Sequence, residues 1–220
     1  VGFLTEIINR ISPLIVLGLA QSRLGLGQFG YALFAISILE IFFPFVSYGY
    51  TYQGALEMGR IKNDRDSQSR LMAGILMMRV FHALAAGAAL FTATRILPSW
   101  REHSSLLLML LPYLLLAALD MTYVNIGTQR MGKLSLWVGG FKLLNLAAVY
   151  IFVKGPDDAG LYAALMLMVN AGVSLTSAVW VLRRLKFQLP KWADCRALFV
   201  KSFGLACVVF DNRGFGASDA

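Results

Sequence analysis

The fold class legible in this chain is all-α: a polytopic membrane protein built as a six-helix transmembrane bundle. Six apolar stretches of about twenty residues recur along it. Each is long enough, at 1.5 Å of rise per residue, to cross a hydrocarbon core about 30 Å thick. Apolar residues fill 58% of the 220 positions and charged residues only 15%, more apolar surface than a soluble domain of this size hides. The basic residues also collect in alternate connections, as membrane topology demands.

The spans fall at 1–20, 31–50, 71–94, 105–123, 134–153 and 159–182. Glu6, Asn9 and Arg10 interrupt the first, leaving Ile11 to Ala20 as its clean apolar part. Pro13 is tolerated there if neighbours satisfy the carbonyl it frees. Span two is rich in Phe and Ile, with a kink expected at Pro44. Tyr48, Tyr50 and Tyr52 fall where an aromatic belt meets the headgroups. The stretch from Gly54 to Arg70 reads as the longest polar connection, with a solvated turn from Lys62 to Asp66.

Span three is Ala- and Gly-rich from Ala83 to Ala89, a composition that permits close backbone approach between helices. Span four is dominated by Leu, with Pro112 near its middle. Span five ends in the turn Lys154-Gly155-Pro156-Asp157-Asp158, and span six runs into Arg183 and Arg184. Short connections make neighbouring spans antiparallel.

The formal charge of +8 first suggests a nucleic-acid partner, but its distribution argues otherwise. Connections after spans two, four and six hold twelve Lys and Arg; those after spans one, three and five hold four. That asymmetry places the even connections and the N-terminus in the cytoplasm. No folded basic domain is present to read a nucleic acid. Cys195 and Cys207 make no disulfide framework and lack metal-ligand spacing. The chain opens at Val1 inside an apolar run, without the charged region and cleavage site of a signal peptide; residues missing upstream are the expected explanation.

Motifs for chemistry are thin. Gly25-Leu26-Gly27-Gln28-Phe29-Gly30 matches G-x-G-x-x-G, but that fingerprint needs a βαβ setting; a tight turn between spans one and two accounts better for the glycines. His82 and His103 are the only histidines, and no hydrolase or metalloprotease signature occurs. Neither an enzyme, a cofactor nor a metal is expected.

The informative residues are ionisable groups at membrane depth, where a charge costs at least about 2.5–3.5 kcal/mol. Arg79 lies eight residues into span three, with His82 at i+3 on the same face. Lys142 sits mid-span five beside Asn145, Glu40 mid-span two, and Asp120 near the cytoplasmic end of span four. Asn170, Ser174 and Ser177 stripe span six, where such residues often bond between helices. One reading pairs the charges to fix packing, Glu40 with Arg79 or Asp120 with Lys142. The other is a hydrated cavity with a cationic bias from Arg79, Lys142 and Arg10.

The linear pattern resembles the N-terminal lobe of the polysaccharide flippases of the multidrug/oligosaccharidyl-lipid/polysaccharide export superfamily, the O-antigen branch in particular. The resemblance rests on Leu24-Gly25 with Phe29-Gly30, Ser47-Tyr48-Gly49-Tyr50, Gly59-Arg60-Ile61 with Arg65-Asp66, Gly127-Thr128-Gln129-Arg130-Met131, and Val153-Lys154 with Asp157-Asp158. Order and spacing carry the weight over residues 1–203. It implies two six-helix lobes around a central cavity, of which this chain holds one, the C-terminal lobe being the missing partner. It implies a bacterial inner (cytoplasmic) membrane protein that moves an undecaprenyl-diphosphate-linked oligosaccharide outward. Arg79, Lys142, Arg10, His82, Asn145 and Asn170 would then face the substrate, and Glu40 or Asp120 would bind a coupling ion. A drug/cation antiporter of the same superfamily and a non-transporting membrane fragment are the alternatives. Residues 204–220 depart from the pattern. From Cys207 to Asp219 they are similar to the strand and D-x-R-G-x-G-x-S turn of α/β-hydrolases, without a nucleophile, and imply a truncated or fused reading frame.

Overall fold

The computed structural model describes residues 2–190 and 192–215; side chains are described from Ile11 on, apart from 131, 133, 193 and 205–215. Among these residues every regular element is helical. The order is α1 Gly2–Ser47, α2 Tyr50–Arg60, α3 Arg65–Ile96, α4 Pro98–Arg101, α5 Ser104–Leu110, α6 Pro112–Ala118, α7 Thr122–Gly127, α8 Met131–Phe152, α9 Ala159–Leu182 and α10 Trp192–Phe215. A 3-10 turn at Pro156–Asp158 precedes α9.

Five segments are long and apolar enough to cross a membrane: Ile11–Arg60, Arg65–Ile96, Ser104–Gly127, Leu134–Phe152 and Pro156–Leu182. Only 22% to 44% of each apolar window is buried inside the protein, so most of that surface points outward. Leu14, Phe81, Leu84 and Phe152 are among the exposed side chains. Exposed apolar surface on this scale marks a membrane or partner face.

Spans five and six occupy α8 and α9 as expected; the others differ for identifiable reasons. The tight turn expected at Gly25 to Gly30 contracts to one residue. Gly25 alone leaves helical geometry, at φ 73° and ψ 163°, a region essentially closed to residues with a Cβ. The two halves of α1 on either side, 2–24 and 26–47, are each about 33 Å long at helical rise. Beside the joint, the Arg23 guanidinium donates to the carbonyls of Tyr150 and Val153 at 2.5 and 2.7 Å and lies 5.0 Å from the Tyr150 ring. It thereby satisfies carbonyls that the end of α8 leaves open.

The connection expected from Gly54 to Arg70 is mostly helix, and only residues 61–64 join α2 to α3. The buried residues of α2 are Tyr50, Gln53, Gly54 and Met58, one face at helical spacing. Tyr50 therefore lies in the interior rather than in an aromatic belt. A Cβ on Gly127 of α7 would sit 2.5 Å from the Ala55 carbonyl oxygen and 2.7 Å from Met58 Cβ, so this close α2–α7 approach requires glycine.

α3 begins six residues earlier than expected because Asp64 caps it. One Asp64 carboxylate oxygen accepts the N–H groups of Asp66 and Ser67 at 3.0 and 3.1 Å, and the other accepts the Ser67 hydroxyl. Gln68 closes the same turn by donating to the Ile61 and Lys62 carbonyls. Span four is not continuous: Pro112 has no N–H for the helix to use and starts α6, and a second break at 119–121 separates α6 from α7. Residues 207–215, within the stretch where the hydrolase resemblance implied a strand and turn, continue α10 as helix; 216–220 lie outside the described residues.

The chain gathers into two compact units. The first takes residues up to Ile41 with Gly87–Tyr113 and Gly132–Val173. The second takes Phe42–Ala86, Leu114–Met131 and residues from Ser174 on. The second has a core of Met58, Met72, Ile75, Met121, Tyr123 and Val124. In the first, Gly160 of α9 packs against Met109 and Leu106 of α5.

Two outcomes test these assignments. Gly25→Val costs about 1–3 kcal/mol through backbone strain. Gly27→Ala, helical and with open space around it, is neutral or stabilising by up to about 1 kcal/mol. Equal unfolding midpoints for the two variants in detergent would refute the joint. At the α3 cap, the Ser67 hydroxyl, followed by the Ser67 and Asp66 N–H groups, holds the Asp64 carboxyl below its usual range. A depressed pKa contributes stability that is present above the unfolded value and lost as pH falls through the folded one. Protection of the amides in the first turn of α3, measured against their intrinsic exchange, should thus fall only below about pH 4, and an Asp64→Ala variant should lack it at neutral pH as well.

Candidate functional site

The second unit contains a polar centre built around a helix break. Where α6 ends, the Asp120 carbonyl and the Met121 and Thr122 N–H groups lose their helical partners, and each finds a side chain instead. Arg79 Nη1 donates to the Asp120 carbonyl. The Ser177 hydroxyl accepts the Met121 N–H at 3.1 Å. Asp120 Oδ1 accepts the Thr122 N–H at 2.9 Å.

Arg79 is the hub of this centre. α3 places it 14 residues beyond Arg65, about 21 Å along the helix, with its side chain only 1% exposed. Nη1 also lies 3.5 Å from the Asp120 carboxylate, which is itself 14% exposed. Nη2 donates to the Thr51 hydroxyl at 2.6 Å. The guanidinium carbon lies 5.6 Å from the centre of the Tyr123 ring. The structure thus pairs Arg79 with Asp120, where the packing alternative joined Glu40 to Arg79 and Asp120 to Lys142.

Some polar atoms in this unit have no hydrogen-bond partner: Arg79 Nε, the Tyr50 and Tyr123 hydroxyls and the Asn125 side-chain amide. Buried polar groups are nearly always satisfied, by water where protein fails. The Arg79–Asp120 pair thus leaves polar atoms of the same unit unengaged.

His82, one turn further along α3, lies in an aromatic stack. Its ring centre is 4.9 Å from that of Tyr48, 5.7 Å from that of Tyr50 and 6.1 Å from that of Phe199 of α10, which is also 4.8 Å from Tyr48. His82 Nδ1 donates to the Met78 carbonyl at 2.8 Å. Tyr48 has a positive φ of 40° next to Gly49 at 71°, and the stacking helps hold that strained residue.

The remaining expected residues lie in the first unit. Asn145 is buried and donates to the Leu165 carbonyl, a bond between α8 and α9. Asn170 donates to the Tyr113 hydroxyl at 3.4 Å. Lys142 is half-buried and Glu40 exposed. The Arg10 side chain lies outside the described residues. Arg79 and Asp120 are the expected residues that the structure joins directly. Thr51 and Tyr123 complete their surroundings without having been singled out, as does Tyr50, which was read only as part of an aromatic belt. The one sequence signal for them was indirect: polar and aromatic residues adjoining Gly49 and Asp120, where the helices break. Among the described residues no three His, Cys, Asp or Glu side chains gather as metal ligands.

Removing one partner of a buried ion pair costs about 3–5 kcal/mol because the other charge stays buried, whereas replacing both by apolar groups is often nearly neutral. Arg79→Ala should therefore lower stability by that amount. Asp120→Asn, which keeps the backbone carbonyl and the Thr122 bond, should cost less. Arg79→Met with Asp120→Leu should recover part of the loss. Unfolding titrations in detergent measure all three, and a harmless Arg79→Ala would refute the hub.

Comparison with protein-family models, curated proteins and solved structures finds no match to this chain.

Proposed function

We propose that the chain is the six-span, N-terminal membrane lobe of a flippase. It would carry an undecaprenyl-diphosphate-linked oligosaccharide across the bacterial cytoplasmic membrane, with the chain's N-terminus and basic connections on the cytoplasmic side. Support for a bilayer setting comes from the five apolar segments with outward-facing apolar side chains. The joint at Gly25 lets α1 supply two crossings, which brings five segments to six spans.

The observation that carries the transport reading is the polar centre at Arg79. Arg79, buried at mid-α3, pairs with Asp120 at the break before α7, and further polar atoms of the same unit are unpaired. Intramembrane ionisable groups mark substrate and ion pathways. Discontinuous helices mark substrate sites in secondary transporters, and span four here is divided into α5, α6 and α7. Translocation of a lipid-linked glycan needs no covalent chemistry, only a polar path presented to each face in turn. In the second unit His82 supplies a contact to the diphosphate or sugar and Asp120 the ion-coupling carboxylate; Lys142 supplies its own contact in the first unit.

The test is complementation of a flippase-null strain with the complete protein. Export of the glycan should return, fall at least about tenfold with Lys142→Ala, and leave membrane insertion intact. In a background with Cys195 and Cys207 changed to Ser, H82C and K142C should react with a membrane-impermeant thiol reagent. Full export by Lys142→Ala, with both cysteines sealed from water, ends the proposal.

A further inference from the structure

Outside the polar centre, the second unit holds a pocket of about 630 Å³ whose ionisable lining is entirely basic. Lys62, Arg65, Arg130, Arg183 and Arg184 line it, with Trp180 among them. Such a volume suits a headgroup-sized ligand. Acidic residues adjacent in sequence are engaged elsewhere. Asp64 caps α3, and Asp66 accepts a hydrogen bond from Gln188 at 3.1 Å. The α3 N–H groups being capped by Asp64, the side-chain cations are the donors available to a ligand.

The pocket is built rather than merely lined. Arg184 lies 4.0 Å and Arg130 5.4 Å from the Trp180 ring centre, so one indole orients two guanidiniums by cation–π contact. Gln68 fixes the loop carrying Lys62 through its two bonds to loop carbonyls. Arg130 follows Gln129, held at φ 57°, a left-handed conformation that costs a non-glycine residue roughly 1–2 kcal/mol. The Arg130 N–H returns to the Asn125 carbonyl at 2.8 Å, locking that turn. Five like charges around one cavity repel one another unless an anion neutralises them. Arg forks match phosphate oxygens in pairs.

We infer that this pocket is a binding site for a phosphate-bearing anion carrying more than one negative charge, such as a diphosphate or the headgroups of anionic phospholipids. Trp180 and Arg183–Arg184 close the last apolar segment, where Trp and basic residues meet the headgroup layer. The inference does not depend on transport: the site is separate from the Arg79 centre, and binding is read without export.

Two probes distinguish the sources of the phosphate. Inorganic pyrophosphate is titrated calorimetrically into the detergent-purified chain. Phosphatidylglycerol retention is compared with phosphatidylcholine retention in nanodiscs by native mass spectrometry. Arg130→Gln with Arg184→Gln should weaken binding of at least one probe by about tenfold or more. Arg95→Gln with Arg101→Gln, an equal loss of charge in the first unit, should change it less than about twofold. Lys62→Gln with Arg65→Gln is the second pocket variant should the first misfold, as judged by circular dichroism. Loss confined to pyrophosphate assigns a soluble anion, and loss confined to phosphatidylglycerol a lipid. Absence of binding to either probe overturns the inference, as does an equal effect of the pocket pair and the first-unit pair.

Discussion

Backbone polar groups freed at helix breaks constrain this protein more than any other feature. In an apolar interior an unsatisfied N–H or C=O costs several kcal/mol, so a helix is interrupted only where side chains take over. At 119–121 the substitutes are Arg79, Ser177 and the Asp120 carboxylate. After α8 they are Arg23, for the Tyr150 and Val153 carbonyls, and Asp158, for the Lys154 and Gly155 N–H groups. Before α3 they are Asp64 and Gln68. Much of the polar content of a very apolar chain is thus committed to its own backbone.

That commitment divides the arginines into two kinds. Arg79 is buried, neutralised by Asp120 and bonded to Thr51; its charge is held in place by geometry. Arg130 and Arg184 are exposed and supported by an indole face, so their donors are turned toward a cavity. The net positive charge that was read in the sequence as a topology signal also gathers, in the second unit, basic side chains around one pocket. Both uses follow from one property of guanidinium: a planar fork that satisfies several acceptors at once and stacks on aromatics.

How much of this was legible in the sequence varies with the range of the interaction. Spans five and six were readable to within a few residues because long, predominantly apolar runs end at strong polar stops, Lys154 and Arg183. The break at Pro112 was marked by a residue that cannot donate. By contrast, α2 was read as loop because its hydropathy is polar; its buried face of Tyr50, Gln53, Gly54 and Met58 exists only through packing against the rest of the second unit. Arg79 and Asp120 were both recognised as costly, but their pairing spans 41 positions. Linear spacing holds no information on partners at that distance. The pocket cations were counted as cytoplasmic loop charges, since nothing local indicated that α7, α9 and the 61–64 turn would bring them around one tryptophan.

Cost also explains why the polar centre and the break coincide. A lone arginine in an apolar helix would pay the full desolvation penalty, and a lone break in a neighbouring helix would leave a carbonyl unmet. Placed against each other, the guanidinium gains the carbonyl, the carboxylate and a hydroxyl, while the break gains its donor. Each defect is tolerable because of the other. An element that depends on such mutual compensation has fewer stable alternatives than a continuous helix, and it changes conformation only if the compensating group moves with it. If α6 and α7 shift during a working cycle, Arg79 must either travel with the Asp120 carbonyl or exchange it for another acceptor. The unpaired Tyr50 and Tyr123 hydroxyls in the same unit are the groups nearest in kind to supply that exchange.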